Sequence, residues 1–247
     1  MRSGGNHMPQ SPHRTASESS MGRGVLKGAF ALLDELRRQG GEAGLTQIAN
    51  ACGLPKASTH RLLHQLLMVG AVERHRGRYR VGGQLYRIGQ AWQPHPGLRL
   101  AARQPLHGLR AATGASVVVT VLYEDLALTI ASVPGEVEPV APVRDGMGFT
   151  LDTAAGQVLT AGPPRRAAGR PETALLEREQ VMDGVCCAAL PVCSPDGRLR
   201  AAITAMVPPH RRLQTVAEHT ARAGAAITAN LGRAARSTAP LPPVLRH

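Results

Sequence analysis

The chain has 247 residues, of which 43% are hydrophobic, and this is enough to form two modest domains with separate cores. Its formal net charge is +12, and over half of that excess lies in residues 23–90, which hold 11 Lys and Arg against 4 Asp and Glu. This concentration of positive charge predicts an anionic partner. Aromatic residues make up only 2% of the chain, which argues against a protein that stacks the bases of single-stranded nucleic acid.

The sequence also argues against membrane insertion and secretion. No apolar run approaches the roughly 18 residues of a membrane span, and the polar N-terminus lacks the apolar segment of a signal peptide. The four cysteines, Cys52, Cys186, Cys187 and Cys193, form no paired zinc-ligand units, so buried free thiols are the simpler interpretation. We expect a cytoplasmic protein that has no metal or cofactor and does not contact a membrane.

The N-terminal region divides into a tail and a helix. Residues 1–22 are rich in Ser, Gly and Pro, which predicts a disordered tail. From Val25 to Arg38 the apolar residues recur at helical spacing, so a helix is expected to open a DNA-binding domain over residues 23–82.

The most informative pattern in the chain lies between Leu45 and Val81. Thr46 is a candidate N-cap for a short helix whose apolar stripe is formed by Leu45, Ile48, Ala49 and Cys52. Gly53 suits a tight turn, and Pro55 suits the start of a second helix that extends to Val69. The second helix has one buried side, formed by Thr59, Leu62, Leu63, Leu66 and Leu67. Two short helices joined in this way predict a helix-turn-helix.

The candidate DNA contacts lie on these two helices and on the hairpin that follows them. On the helices they are Thr46, Lys56, Ser58, Thr59, His60, Arg61 and His64, although Thr59 also belongs to the buried side. The hairpin turns at Arg76 and Gly77 and forms a wing that carries Arg74, Arg76, Arg78 and Arg80. The alternative is a small helical hairpin with a solvated charged face. The coincidence of turn, helix and basic wing favours binding of double-stranded DNA.

The remainder of the chain predicts an α+β domain. A linker helix over Gln84–Trp92 ends at a Pro-rich break, and the linker occupies residues 83–97. The domain itself covers residues 98–236, and a loose tail follows in residues 237–247. Its expected elements are a helix at Leu98–Thr113, strands at Ser116–Tyr123, Leu126–Val133 and Val137–Val143, a short helix at Thr153–Ala161, a hairpin of Gly184–Cys193 and Leu199–Val207, and a final helix at Arg211–Ala235.

Four stretches in this order resemble the IclR family of bacterial transcriptional regulators. They are the winged helix-turn-helix itself, then LRLAARQPLHGLRAATGASVVVTVLYEDLALTIASV, GFTLDTAAGQVLTA and GVCCAALPVCSPDGRLRAAITAMVP. The resemblance implies an N-terminal winged helix-turn-helix domain, a linker helix and a GAF-like effector domain built on an antiparallel sheet. It also implies a homodimer or homotetramer on a palindromic operator. The expected function is that of a repressor modulated by a small organic or aromatic acid.

In this family the effector lies between the sheet and the short helix. The matching positions here are Ala154, Ala155, Cys187, Thr204 and Met206. Ordinary core packing is the alternative interpretation of each. The backbone N–H groups that begin the short helix are a plausible carboxylate site, and no motif of catalysis indicates an enzyme.

This chain departs from the family pattern in ways that bear on sensing. The segment between Ala161 and Gly184 is shorter than is usual, and Glu177 and Glu179 fall near the acidic segment that covers the pocket. Gln157 replaces a usual Lys, Met206 replaces a polar residue, and Ala57 replaces a Ser of the recognition helix. The effector domain is therefore expected to be shortened. The alternative function is a constitutive DNA-binding dimer whose C-terminal domain serves only for oligomerisation.

Overall fold

The structure, a computed structural model, describes residues 16–92, 95, 97–161, 174–194, 197 and 200–237, with the backbone alone at 16–23, 200 and 235–237. The chain divides into two compact units, residues 1–93 and residues 94–247. None of the helices within the described ranges is long and apolar enough to cross a membrane.

The first unit contains four helices and a small antiparallel sheet of three strands among its described residues. Its elements are α1 (Ala16–Arg38), β1 (Glu42–Ala43), α2 (Leu45–Ala51), α3 (Lys56–Met68), β2 (Val72–His75), β3 (Arg78–Val81) and α4 (Gly83–Gly89). The strand order is β1-β3-β2. One core is shared by the helices and the sheet, with Leu32, Leu36, Ile48 and Leu63 fully buried and Tyr79 nearly so. The predicted winged helix-turn-helix is confirmed.

A tight turn at Gly53 connects α2 to α3. Gly53 has a φ of +63°, which residues with a side chain rarely adopt. The Leu54 N–H donates to the Ala49 carbonyl at 3.0 Å and thereby closes the end of α2. The N-cap of α2 is Gly44 rather than the predicted Thr46, because the helix begins at Leu45, two residues earlier than an N-cap at Thr46 implies. Pro55 is the N-cap residue of α3, which begins at Lys56.

The wing is a hairpin with a two-residue turn. Arg76 and Gly77 have φ values of +48° and +80°, the signature of a type I′ turn, whose twist matches that of the flanking strands. In β3 only Tyr79 points into the core, so Arg78 and Arg80 lie on the opposite, exposed face. The predicted hairpin and its turn are therefore present, with the arginines on the outside.

The second unit is built on a six-stranded antiparallel sheet. Its elements are α5 (Leu98–Thr113), β4 (Ser116–Tyr123), β5 (Leu126–Val133), β6 (Gly148–Phe149), α6 (Ala154–Thr160), β7 (Leu175–Arg178), β8 (Cys186–Cys193), β9 (Arg200–Val207) and α7 (Leu213–Ser237). The strand order is β6-β5-β4-β9-β8-β7. The fold class predicted from the sequence, an antiparallel α+β domain after a winged helix-turn-helix, is confirmed.

The two faces of this sheet pack against different partners. One face carries Val117, Val119, Ile203 and Leu190 and is covered by the apolar sides of α5 and α7, which form the largest core of the unit. The opposite face receives α6 and a loop containing Val137 and Val143. Because alternate residues of a strand point to opposite faces, Cys186 joins the helix-covered core and Cys187 faces α6.

Two expectations about local structure are wrong. Val137–Val143 does not form a strand but a turn, in which the Ala141 N–H donates to the Val137 carbonyl at 2.7 Å. Pro139 and Pro142 have no N–H to donate to a sheet, and the valines are apolar because the loop packs onto the sheet. Helix α1 begins at Ala16 rather than Val25, so residues 16–22 are helical and not part of a disordered tail. A helix anchored by its buried residues gains one hydrogen bond for each residue added to its end.

Candidate nucleic-acid interface and candidate effector cavity

Helix α3 separates an apolar face from a basic one. Thr59, Leu62, Leu63 and Leu66 are its buried residues. The basic side chains on its other faces are exposed, and they are Lys56, His60, Arg61 and His64. This is the arrangement that a recognition helix needs, because its packing is complete without the side chains that would reach base edges and phosphates.

The three remaining predicted contacts on the helices differ from one another in exposure. Thr46 is exposed in the first turn of α2, and Ser58 is half-buried. Thr59 is fully buried, and its hydroxyl donates to the Pro55 carbonyl at 3.1 Å. The expectation that Thr59 contacts DNA is therefore not supported, since its hydroxyl serves the helix-turn-helix core instead.

The four wing arginines are exposed but differ in their partners. Arg80 lies opposite Glu73 in the hairpin and forms an ion pair with it at 2.8 Å, while Arg78 pairs with Glu42 at 3.0 Å. The guanidinium carbon of Arg74 lies 5.7 Å from the centre of the Tyr79 ring, within cation–π range. Arg76 occupies the tip of the turn and has no carboxylate partner among the described residues. Arg76 is thus the wing cation most available to a phosphate.

The ion pair with Arg80 and a backbone hydrogen bond also affect the pKa of Glu73. Its hydrogen bonds with Arg80 and with the Gly83 N–H, at 3.2 Å, lower the pKa of the Glu73 carboxyl. On α1 the last-turn residues Arg37 and Arg38 are similarly paired, with Asp34 and Glu35. Among the described residues of this unit, the cations without a carboxylate partner therefore include Lys56 and Arg61 on α3 and Arg74 and Arg76 in the wing, together with Lys27 and Arg87.

The second unit contains a cavity of about 100 Å³ between the sheet and α6. All five residues predicted to bind an effector line it, namely Ala154, Ala155, Cys187, Thr204 and Met206. The strand register explains how they meet: Cys187 lies opposite Met206 and Ala189 opposite Thr204 in the β8–β9 hairpin. The residues that the family resemblance implies therefore meet at one wall of the cavity, and their contact with an effector stays a prediction.

The carboxylate of Glu177 closes the cavity at the start of α6. Glu177 lies on β7 and is only 3% exposed. Its Oε2 accepts a hydrogen bond from the Ala154 N–H at 3.0 Å, and its Oε1 accepts one from the Val181 N–H at 3.2 Å. The chain's own side chain therefore uses the backbone donor at which a bound carboxylate was expected.

The other polar groups of the cavity are uncharged. Burial, and then the neighbouring Glu177, raises the pKa of the Cys187 thiol to about 12, so that it stays protonated at neutral pH. The Thr153 hydroxyl donates to the Thr150 carbonyl at 2.7 Å and accepts from the Gly156 N–H at 3.3 Å as the N-cap of α6. The Thr204 hydroxyl is buried and has no hydrogen-bond partner in the structure.

Helix α6 can pack against the turn that precedes it only because residue 156 is glycine. A Cβ at Gly156 would lie 2.3 Å from the Cα of Leu151 and 2.6 Å from its carbonyl carbon and oxygen. Backbone atoms cannot move aside as a flexible side chain can, so any side chain here would displace α6. The shape of the cavity depends on this contact.

Sequence reasoning missed several residues that line the cavity. They are Val118, Ala141, Phe149, Thr153, Val181, Met182 and Val185, whereas Glu177 was expected only near an acidic segment over the pocket. Val118 had a usable signal, because it lies on the α6 side of a strand whose limits were predicted. The four-residue β7 was too short to reveal by alternation that Glu177 points inward.

Comparison with known proteins supports this division of the chain. Residues 25–76 match the IclR helix-turn-helix domain. The chain is also similar to the "Glycerol operon regulatory protein" of Streptomyces coelicolor, with 32% identity over 143 residues. That similarity spans 56% of this chain and 56% of the relative, little more than half of each.

Solved structures share the fold over most of this chain. An IclR homolog from Microbacterium hydrocarbonoxydans, complexed with 4-hydroxybenzoate, is similar with a TM-score of 0.71 at 18% identity, covering 85% of this chain and 99% of that one. A regulator from Alicyclobacillus acidocaldarius is similar with a TM-score of 0.63 at 20% identity, covering 84% and 98%. Residues 25–76 thus match the IclR helix-turn-helix domain, and the chain shares the fold of these solved structures.

Proposed function

We propose that this protein regulates transcription by binding double-stranded DNA through α3 and the wing. The observation that carries the proposal is the exposed basic face of α3, with Lys56, His60, Arg61 and His64 outside an intact apolar core. Helix α3 enters the major groove with these side chains near bases and phosphates, as Thr46 and Ser58 approach the backbone. The wing arginines Arg74, Arg76, Arg78 and Arg80 contact the backbone or the minor groove.

The regulator acts as a dimer, or as a dimer of dimers, on a palindromic operator. Apolar side chains of the first unit support this, since Leu26 and Phe30 lie one helical turn apart on α1 and are 64% and 68% exposed. Tyr86 and Ile88 on α4 are 71% and 59% exposed. A second copy of the chain is the occupant that a two-fold operator requires. Sedimentation of Phe30→Glu beside the unaltered protein tests this, and a dimer of unchanged strength would contradict it.

The second unit senses a small molecule, and its binding changes the operator affinity of the first. The gathering of Ala154, Ala155, Cys187, Thr204 and Met206 around one cavity supports sensing over the alternative of a purely oligomeric domain. The complex of the Microbacterium homolog with 4-hydroxybenzoate supports a ligand role for the corresponding domain. Repression relieved by a small organic or aromatic acid is what the family resemblance predicts.

Selection of genomic fragments by the immobilised full-length chain tests the DNA-binding function. We expect sequencing to show enrichment of a few fragments that share an inverted repeat. The double variant Lys56→Ala/Arg61→Ala, altered only at exposed positions, is the matched control and should lose the enrichment. Equal enrichment by the variant, or no enrichment by the unaltered chain, would contradict the proposal.

A further inference from the structure

The outer face of the wing sheet carries two acidic residues beside two of the wing arginines. Strand β3 is the middle strand of this sheet, and its Arg80 lies opposite Glu42 of β1 and Glu73 of β2. Directly opposed residues of antiparallel strands project from the same face of a sheet. Because Arg78 and Arg80 alternate with the buried Tyr79, all four charged side chains share this outer face, where two positive and two negative charges offset each other.

Each of the two arginines is paired with one of the two carboxylates. The Nε and Nη2 groups of Arg80 both donate to Oε2 of Glu73, at 3.1 and 2.8 Å. The Nε of Arg78 lies 3.0 Å from Oε1 of Glu42, and the Nη2 of Arg78 donates to the Glu42 carbonyl at 3.3 Å. These glutamates therefore engage guanidinium donors that a DNA phosphate would otherwise bind.

The pair of Glu73 and Arg80 is oriented by the backbone and is nevertheless open to exchange. Oε1 of Glu73 also accepts a hydrogen bond from the Gly83 N–H at 3.2 Å, which orients the carboxylate toward Arg80. Nearly half of each side chain in the pair is exposed to solvent. Because an exposed ion pair contributes little to stability, a phosphate can take the place of the carboxylate without disturbing the fold.

From these contacts we infer that Glu42 and Glu73 compete with DNA phosphates for Arg78 and Arg80, and that they thereby weaken the binding of the wing to DNA. The inference rests on the proposed function in that the wing is a DNA-binding element. Phosphate contacts carry no sequence information. The two glutamates therefore lower the affinity for operator and non-operator DNA alike, and discrimination between sequences is left to α3.

Binding to a duplex of arbitrary mixed sequence tests this competition without knowledge of the operator. The full-length chain is titrated into the labelled duplex at several salt concentrations, and fluorescence anisotropy gives the affinity at each. Glu73→Gln and Glu42→Gln should each bind about threefold to tenfold more tightly at low salt. The slope of log affinity against log salt concentration should also steepen by about 0.9 in each variant, as expected for one further phosphate contact.

Glu138→Gln is the matched control, because it changes the net charge of the chain by the same amount. Like Glu73, Glu138 forms an ion pair with an arginine, here Arg144, and accepts a backbone hydrogen bond, here from the Val143 N–H at 3.2 Å. It belongs to the second unit. Since no phosphate contact is gained by this substitution, the affinity for the duplex should change by about twofold or less.

A double substitution shows whether Glu73 acts through Arg80 or by direct repulsion of phosphates. Glu73→Gln is combined with Arg80→Ala, and the affinity of this chain is compared with that of Arg80→Ala alone. Competition for the arginine predicts a difference of about twofold or less, whereas direct repulsion would leave the full gain in affinity. Thermal unfolding of every variant without DNA shows that a change in affinity does not arise from loss of the fold.

The outcomes separate this inference from the proposed function. If the unaltered chain binds the duplex but neither glutamine variant of the wing binds more tightly than Glu138→Gln, only the inference falls. A gain for Glu73→Gln that persists in the absence of Arg80 overturns it equally. Binding that is detected only when a wing glutamate is replaced supports the inference. If no chain binds the duplex even at low salt, the proposed function falls together with the inference.

Discussion

The two units of this protein place their candidate binding residues in opposite environments. In the first unit Arg61, His60 and His64 are exposed and stand outside a core that is complete without them. In the second unit Thr204 and Met206 are 3% and 7% exposed and belong to the packing of the sheet itself. Binding and stability should therefore be separable by substitution in the first unit and coupled in the second.

The largest effect is expected from Gly156→Ala. The new Cβ would meet the backbone of Leu151 at 2.3 Å, so α6 must shift and the cavity must change shape. Overpacking of this kind destabilises by about 3 kcal/mol, which denaturant unfolding measures. The control is Gly108→Ala in α5, where a Cβ meets nothing within 4 Å and helix propensity predicts a gain of about 0.5–1 kcal/mol. Equal effects of the two substitutions would contradict the role assigned to Gly156.

Arg61→Ala should weaken DNA binding without weakening the fold. Arg61 is exposed on α3, and loss of a base contact costs about 1–3 kcal/mol of operator binding. Gel-shift titration on a selected genomic fragment measures this loss. Arg233→Ala removes the same charge from an exposed position in the second unit and should leave the affinity nearly unchanged. Unchanged operator affinity in Arg61→Ala would contradict the assignment of Arg61 as a DNA contact.

The wing offers a comparison within one hairpin. Arg76 lies at the tip without a carboxylate partner among the described residues, whereas Arg80 is already paired with Glu73. Arg76→Ala should therefore reduce the slope of log affinity against log salt by about 1, as expected for one lost phosphate contact. Arg80→Ala should reduce it less. Binding titrations at several salt concentrations measure both slopes, and a larger loss for Arg80 would reverse this ranking.

The smallest effect is expected from substitution of Glu73, the acidic residue of the wing. Ion pairing lowers the pKa of Glu73 below its usual 4.5, so its contribution to stability is present above the unfolded-state pKa. That contribution is lost as pH falls through the lowered folded-state pKa. Because the pair is exposed, the effect is small. The stability difference between the unaltered chain and Glu73→Gln should be present at pH 7 and shrink as the pH falls below the usual pKa of 4.5; a difference that grew toward low pH would exclude this role.

The sequence predicted elements well where periodicity ran long. Strands β4 and β5 have the predicted limits because each is a run of eight residues rich in β-branched side chains. The segment Val137–Val143 failed because burial of a loop against the sheet produced the apolar pattern of a strand. The strand β6 has two residues and cannot show any period.

The candidate sites were predictable to different extents for the same reason. The exposed face of α3 follows from helical spacing alone, apart from Thr59, whose hydroxyl bonds within the helix. One wall of the cavity followed from resemblance to the family. Glu177 did not, because its meeting with the Ala154 N–H joins positions 23 residues apart through tertiary packing.

The most direct test of the central claim is a binding titration of the full-length chain with a selected genomic fragment and with the same fragment after its inverted repeat is scrambled. Fluorescence anisotropy at increasing salt gives both affinities and their salt slopes. We predict tighter binding of the intact repeat by about 1,000-fold or more, with log affinity falling linearly with log salt concentration. Equal affinity for the two fragments, or an affinity that does not change with salt, would contradict the assignment of α3 and the wing as a sequence-reading surface.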